Sequence, residues 1–230
     1  MLRVIVPTIP KYYWILRAFA YLFNIYWSEQ QPVLIAGYGA LDIELPPNFS
    51  FHSIAKDPYP KENWTDGLIE LLKSIPDEYV IIMLEDYMLT RGVDHAAIRS
   101  LELYMHLHPD VLRMDLTADR LYAGGMKEVD HFGSLDIVET WLPTEYQMSL
   151  QAGIWNKELL LKVLKPGTSP WDVELFTSYQ VPPEMRVLGT RQWPCRYINI
   201  FQGGNPTKLY HLEELDKNHL AFIRSQGWIE

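Results

Sequence analysis

The stretch Tyr79–Tyr87, which reads YVIIMLEDY, joins an apolar run of strand length to two adjacent carboxylates, Glu85 and Asp86. An apolar run of this length predicts a strand that is covered on both faces of an α/β sheet. Acids at the carboxyl end of such a strand lie where open α/β sheets bind ligands. Carboxylate oxygens suit Mg²⁺ and Mn²⁺, and proteins usually hold Mg²⁺ with one or two carboxylates plus substrate phosphates. The stretch therefore predicts either a divalent metal site for a phosphorylated substrate or a solvated acidic turn.

The residues before this stretch alternate between strand and helix patterns. Short β-rich runs at 2–6, 32–36 and 51–54 are separated by apolar-periodic stretches at 12–27 and 64–74. Alternating strands and helices predict a mostly parallel central sheet that is flanked by helices.

The second half of the chain departs from this alternation. Several glycines stand between short β-prone runs in 122–139, which predicts a hairpin or flap insertion. Asn156 can cap a following helix, and Ser169 is an N-cap candidate before Pro170. The other predicted elements are strands at 79–84, 111–116, 146–154 and 196–201 and helices at 93–106 and 212–223.

Composition is typical of one folded domain, since the chain has 230 residues and is 48% hydrophobic. The single Cys195 excludes an intrachain disulfide and fits a reducing compartment such as the cytoplasm. The net charge of −9 argues against a broadly basic nucleic-acid surface. The apolar stretch 12–27 is only 16 residues long and contains Arg17, so it predicts a helix packed on the sheet and no integral membrane segment.

Several short motifs, taken in their order along the chain, carry a family resemblance. They are Tyr26-Trp27, Trp64–Leu68, Leu84–Tyr87, Leu150-Gln151, Trp155–Lys157 and Pro170–Glu174. This order resembles nucleotide-sugar glycosyltransferases of the GT-A type, in particular small bacterial and phage proteins related to the family 2 enzymes. The resemblance implies one GT-A-like α/β domain over 1–230, with a nucleotide-binding half at about 1–116 and an acceptor-binding half at about 117–230. It also implies a cytoplasmic location in a bacterium or a phage-infected cell.

The resemblance implies transfer of a sugar from a nucleotide-diphosphate donor, with Mn²⁺ or Mg²⁺ as the cofactor. The wider family uses an Asp-x-Asp motif after the fourth strand, whereas here Glu85-Asp86 is followed by Tyr87. This departure leaves metal dependence open; Asp86 is the expected direct ligand, with Glu85 and His211 as further candidates. The residues expected to border the nucleotide are Pro7, Thr8, Asp57, Trp64, Thr65, Glu85 and Asp86.

An inverting transfer needs a carboxylate that removes the proton of the acceptor hydroxyl. Asp172 and Glu174 are the candidates, and because they are two residues apart on a helix, only one is expected to enter the cleft. We favour Asp172, while the alternative for both is a structural role at a helix N-terminus. The resemblance also implies that Gln151 and Trp155 flank the acceptor, although Trp155 could instead belong to the core.

The acceptor is expected to be either a glycan or a hydroxymethylated pyrimidine in phage-type DNA. A DNA acceptor would need a local basic track, for which the candidates are Arg91, Arg113, Arg120, Lys127, Arg186, Arg191, Arg196 and Lys208.

Three other classes of protein compete with a glycosyltransferase. A sugar nucleotidyltransferase would carry a glycine-rich phosphate loop after the first strand, and the segment 6–11 contains no glycine. A glycoside hydrolase would need two carboxylates on either side of the scissile bond, and nothing else favours hydrolysis. The main alternative is a noncatalytic carbohydrate- or protein-binding module, which would bind neither metal nor nucleotide sugar.

Overall fold

The computed structural model describes residues 2–122, 125–141 and 144–229. The strands are β1 (Arg3–Pro7), β2 (Val33–Tyr38), β3 (Phe49–Ala55), β4 (Tyr79–Ile82), β5 (Tyr87–Leu89), β6 (Val111–Asp115), β7 (Met126–Phe132), β8 (Leu135–Thr140), β9 (Gly153–Asn156), β10 (Arg186–Thr190) and β11 (Tyr197–Asn199). The α-helices are α1 (Leu16–Tyr26), α2 (Trp64–Ser74), α3 (His95–Leu107), α4 (Asp119–Tyr122), α5 (Lys157–Val163), α6 (Pro170–Leu175) and α7 (Lys217–Ser225). Short 3-10 helices lie at Pro10–Ile15, Lys61–Asn63, Thr177–Gln180 and Leu212–Glu214.

Within the described residues, nine strands form a central sheet in the order β3-β2-β1-β4-β9-β6-β10-β8-β7. β1 is parallel to β4, β2 is parallel to β3, and β6 is parallel to β10. β9 lies between β4 and β6 and is antiparallel to both, so β1, β4, β6 and β10 all run in one direction. The predicted α/β class with a mostly parallel core is therefore confirmed.

The predicted insertion in the second half is a β-hairpin. β7 and β8 pair antiparallel, and Gly133 in their turn has a φ of 64°. Glycine adopts this left-handed conformation without the steric cost that other residues meet. β8 also pairs antiparallel with β10, which joins the hairpin to the central sheet.

The chain forms two compact units. The first unit comprises Met1–Ile5, Tyr59–Met83 and Asp94–Pro194, and the second comprises Val6–Pro58, Leu84–Val93 and Cys195–Glu230. In the first unit, β4, β6 and β9 are buried along their whole lengths, and β4 is correspondingly apolar, whereas β6 carries the buried charges of Arg113 and Asp115.

In the second unit, α1 packs its aromatic face onto the start of β3. Phe23 stacks on Trp27 with 5.0 Å between the ring centroids, and Phe19 and Phe23 both meet the edge of Phe49. Such pairs add about 1 kcal/mol each beyond the burial of their surfaces.

Most predicted elements are present, with differences at their ends. α2 spans the predicted 64–74, and Asn156 and Ser169 cap α5 and α6 as expected. The helix predicted over 12–27 divides into the 3-10 helix Pro10–Ile15 and α1. The strand predicted over 146–154 is wrong for most of its length, because only Gly153–Asn156 pairs in the sheet and Tyr146 has a φ of 61°. No helix in the described part of the chain is both long and apolar enough to cross a membrane.

Candidate functional site

Glu85 and Asp86 lie in a tight turn of the second unit. The turn is closed by a hydrogen bond from the Tyr87 amide to the Leu84 carbonyl at 3.2 Å. The Asp86 carbonyl accepts a hydrogen bond from the Ile200 amide at 3.0 Å, and β5 continues this pairing with β11. The acid pair is therefore held by backbone contacts on both sides.

Both carboxylates are buried, with 6% exposure for Glu85 and 8% for Asp86. Within the described residues, neither forms an ion pair with Lys, Arg or His. Burial, followed by repulsion from Asp86, raises the pKa of Glu85 from 4.5 to about 8. Burial likewise raises the pKa of Asp86 from 3.8 to about 7. Two buried acids without a cation are costly for the fold, and they fit a site that receives a divalent cation from outside.

Three residues after β1 lie beside the pair. Burial dominates the raised pKa of Glu85, while the Thr8 hydroxyl lowers it, and the Thr8 amide donates to the Ala36 carbonyl at 2.9 Å. Burial and then repulsion from the acids raise the pKa of Tyr12, and burial and Glu85 also raise the pKa of Tyr13. The structure thus brings the predicted Thr8 to the acid pair and adds two tyrosines that the sequence had assigned only to a packed helix.

Tyr13 fixes the segment after β1 against β2. Its hydroxyl donates to the Tyr38 carbonyl and accepts from the Tyr38 amide, each at 2.7 Å. A Cβ on Gly37 would lie 2.3 Å from the Tyr13 hydroxyl oxygen, so only glycine leaves room for this contact. Of the other predicted donor residues in this unit, Pro7 is buried at the end of β1 and Asp57 is exposed in the bend after β3.

His211, the third predicted metal ligand, lies in a second group of possible ligands. In the described part of the chain, the group of three possible ligands that comes within 4.8 Å is His211, Glu213 and Glu214, all exposed. His211 has a φ of 60°, and its Nδ1 lies 3.4 Å from a Glu214 carboxylate oxygen. It lines a groove of about 430 Å³ together with Asn199, Phe201 and Gln202.

The two candidate bases lie on α6 of the first unit, and each already has a partner. The Ser169 hydroxyl donates to an Asp172 carboxylate oxygen at 2.6 Å, while the Leu150 amide donates to Glu174 at 2.8 Å. Burial raises the pKa of Glu174, and this outweighs the lowering by the Leu150 amide and Arg113. Glu174 is therefore the candidate whose pKa is shifted upward by its environment, as is common for carboxylates that act as general bases.

The other predicted site residues of this unit have structural contacts within the fold. Thr65 is buried, and its hydroxyl accepts from the Thr168 amide at 3.0 Å beside the half-buried Trp64. The Gln151 carbonyl accepts from Arg113 at 3.0 Å. Trp155 is 1% exposed and therefore belongs to the core, which was the alternative to its predicted position beside the acceptor.

A buried ion network was not anticipated as part of this site. Arg113, Asp115 and Arg120 are each 0% exposed, and Asp115 lies 2.6 Å from Arg113 and 2.5 Å from Arg120. The available signal was the Arg-x-Asp alternation in β6, which points two opposite charges to one face of a buried strand. A Cβ on Gly189 would lie 2.6 Å from Cγ of Arg120, so glycine makes space for this arginine.

The basic track proposed for DNA is not formed in the first unit. Arg113 and Arg120 are buried and form ion pairs with Asp115. Lys127 pairs with Glu139 at 2.9 Å. Arg186 also pairs with Glu139, and Arg191 pairs with Glu128. These five cations are matched by acids and are poor candidates for contacts with phosphates.

The fold is GT-A-like, which is the fold that the motif order predicted. The UTP-bound UGPase from Acinetobacter baumannii superposes with a TM-score of 0.52 at 8% identity, over 99% of this chain and 93% of that chain. TarS 1–349 from Staphylococcus aureus gives 0.46 at 15% identity, over 80% of this chain and 57% of that chain. A cytidylyltransferase from Leptospira borgpetersenii gives 0.43 at 10% identity, over 75% and 67% of the two chains. No protein-family model and no curated protein matches the sequence.

Proposed function

We propose that the protein is a glycosyltransferase that moves a sugar from a nucleotide-diphosphate donor to an acceptor hydroxyl. The observation that carries this proposal is the buried, unpaired Glu85-Asp86 turn beside Thr8. A GT-A-like fold with such a turn supports the use of a nucleotide sugar.

Asp86 is proposed as the direct metal ligand and Glu85 as its neighbour. The bound Mn²⁺ or Mg²⁺ would neutralise charge on the leaving diphosphate. Thr8 and Pro7 are proposed to border the nucleotide from the end of β1. The remaining donor-pocket proposals are Asp57, Trp64 and Thr65.

Glu174 is proposed as the catalytic base, with Asp172 as the alternative. As the acceptor oxygen attacks the anomeric carbon, the carboxylate takes the hydroxyl proton, and the bond from that carbon to the phosphate oxygen breaks. The raised pKa of Glu174 supports this choice, because a base works best when its pKa lies near the working pH. The Leu150 amide holds one carboxylate oxygen and thereby orients the group.

The likeness to the UGPase makes nucleotidyl transfer the second candidate. That reaction needs donors to the phosphates of a nucleoside triphosphate, which a glycine-rich loop usually supplies. The segment after β1 has prolines and the 3-10 helix Pro10–Ile15 in that place, which favours glycosyl transfer. The products separate the two candidates, since glycosyl transfer releases a nucleoside diphosphate and nucleotidyl transfer releases or consumes pyrophosphate.

The first test is a thermal-shift panel of UDP, GDP, CDP, TDP and their sugars, each with and without Mn²⁺. A ligand that binds only the native state raises the melting temperature by mass action. We expect a Mn²⁺-dependent shift with one nucleotide family, and its loss in Asp86→Asn. The control is Asp42→Asn, which changes an exposed acid of the same unit. A flat panel for the wild-type protein would favour the noncatalytic binding module.

A further inference from the structure

Three exposed aromatic side chains lie on segments that hydrogen-bond around Glu174. The exposed fractions are 44% for Tyr146, 61% for Phe176 and 53% for Tyr179. The Tyr146 amide donates to the Glu174 carbonyl at 2.9 Å, Phe176 follows two residues later, and the Tyr179 amide donates to the Phe176 carbonyl at 3.3 Å. We call Tyr146, Phe176 and Tyr179 the aromatic surface.

The rings of the aromatic surface have no aromatic or cationic partner within the part of the chain that the structure describes. The neighbouring Trp171 differs, because Lys61 Nζ lies 3.6 Å from the centroid of its ring. Large apolar side chains are normally buried, so several exposed rings on connected segments indicate a binding surface.

The backbone below these rings is fixed by buried groups. Arg120 donates to the Tyr146 carbonyl, and Arg113 donates to the Gln151 carbonyl at 3.0 Å. The Met148 amide donates to the Ser178 hydroxyl at 2.9 Å, which ties the segment of Tyr146 to the segment of Tyr179. A surface held in this way loses little conformational entropy when a ligand binds.

Charge and shape together identify the occupant. The carboxylates on these segments are those of Glu145, Asp172 and Glu174, which accept hydrogen bonds from hydroxyls and repel phosphates. The nearby cations are already engaged, since Lys165 donates to the Gln180 side chain, Lys61 lies over Trp171 and Arg120 is buried with Asp115. The first-unit cations named above for a DNA track are paired with acids, and the chain carries a net charge of −9. A pyranose ring offers an apolar face of C–H groups for an aromatic ring and a rim of hydroxyls for carboxylates.

We propose that the aromatic surface binds the acceptor, and that the acceptor is an uncharged glycan and not DNA. This inference rests on the proposed glycosyltransferase function, which it deepens by naming the acceptor class. Tyr146, Phe176 and Tyr179 hold sugar rings, and Glu174 beside them receives the proton of the attacking hydroxyl.

The test measures binding of simple trisaccharides by saturation-transfer NMR. The probes are maltotriose, cellotriose and chitotriose, with a twelve-nucleotide oligothymidine as the nucleic-acid probe. Affinity is compared among wild type, Phe176→Ala and Tyr179→Ala, and the control Leu107→Ala removes an equally exposed apolar side chain at the end of α3. Because both test side chains are exposed, the variants should fold, and circular dichroism with a melting curve checks this.

We expect at least one trisaccharide to bind with millimolar affinity and each aromatic variant to weaken it about fivefold, as the loss of one ring contact should. Leu107→Ala should bind like the wild type. The proposal is overturned if no trisaccharide binds, if the aromatic variants bind as well as the control, or if the oligothymidine binds in place of the sugars.

The proposed donor chemistry is tested independently by repeating the Mn²⁺ and nucleotide thermal-shift panel on the same variants. Phe176→Ala and Tyr179→Ala should keep the nucleotide-dependent shift of the wild type. Loss of sugar binding with that shift intact supports the acceptor assignment. A wild-type protein that binds sugar but gives a flat nucleotide panel would contradict the glycosyltransferase function and leave a sugar-binding surface.

Discussion

Replacing Glu85 by Gln should change the pH dependence of folding. The folded protein raises the pKa of Glu85 from 4.5 to about 8, so between these values the folded state binds a proton that the unfolded state releases. Stability falls with rising pH wherever the native state binds more protons than the unfolded chain. Each pKa unit corresponds to about 1.4 kcal/mol, so from about pH 5 to about pH 7 the wild type should lose about 2 kcal/mol through this one group.

Glu85→Gln removes the titration while keeping the size and hydrogen-bonding capacity of the side chain. The assay is urea unfolding at the two pH values, with EDTA present to exclude bound metal. Near the lower pH the variant and the wild type should have similar free energies of unfolding, whereas near neutral pH the variant should be about 2 kcal/mol more stable. Glu44→Gln, at an exposed position of the same unit, should follow the wild-type curve. Parallel curves for wild type and Glu85→Gln would refute the reasoning that burial of an unpaired carboxylate sets the pH dependence.

Three further outcomes follow from the same contacts. In wild type, Mn²⁺ should raise the melting temperature more at about pH 8 than at about pH 6, because the ion must displace protons from the acid pair, and an equal rise at both would contradict this. Glu174→Gln should lower kcat about 100-fold or more with the fold intact. Asp172→Asn should have a smaller effect on kcat, which comes mainly from the changed contact with Ser169. The reverse order of the two variants in steady-state assays would make Asp172 the base. Arg120→Leu should lower the free energy of unfolding by about 3 kcal/mol or more, because Asp115 stays buried with one cation fewer, and a neutral result in urea unfolding would show that Arg113 alone compensates it.

The sequence predicts those parts of the fold that local patterns determine. The run before Glu85 is buried and apolar as a central strand should be, and the Asn156 and Ser169 side chains cap helices because their oxygens accept nearby amides. Strand β10 was missed because Arg186–Thr190 is a five-residue strand whose partners, β6 and β8, are distant in the sequence. Its identity as a strand depends on those non-local pairings and on no periodic signal of its own.

The candidate site shows the same division between local and non-local information. The acid pair could be found from its position after an apolar run, and the contact of Thr8 with it depends on which strands are neighbours in the sheet. Tyr12 and Tyr13 were read as part of a packed helix because their apolar neighbours dominate the pattern there. The choice between Asp172 and Glu174 could not be made from spacing, because it depends on the burial that raises the pKa of Glu174 and on the Leu150 amide, which comes from a distant segment and holds the Glu174 carboxylate.

The buried carboxylates of the protein differ in whether a cationic side chain lies beside them, and this difference is the strongest physical argument for a cation site. Asp115 is 0% exposed and has two arginines within 2.6 Å, so the fold supplies its own compensation where a buried charge serves packing. Asp86 and Glu85 are nearly as buried, yet no cation of the described residues pairs with either. Backbone hydrogen bonds hold their turn on both sides, and the acids are buried within it. A fold that supplies two arginines to one buried acid, and no cation of the described residues to two others in a hydrogen-bonded turn, has the charge distribution expected of a site whose cation arrives with the substrate.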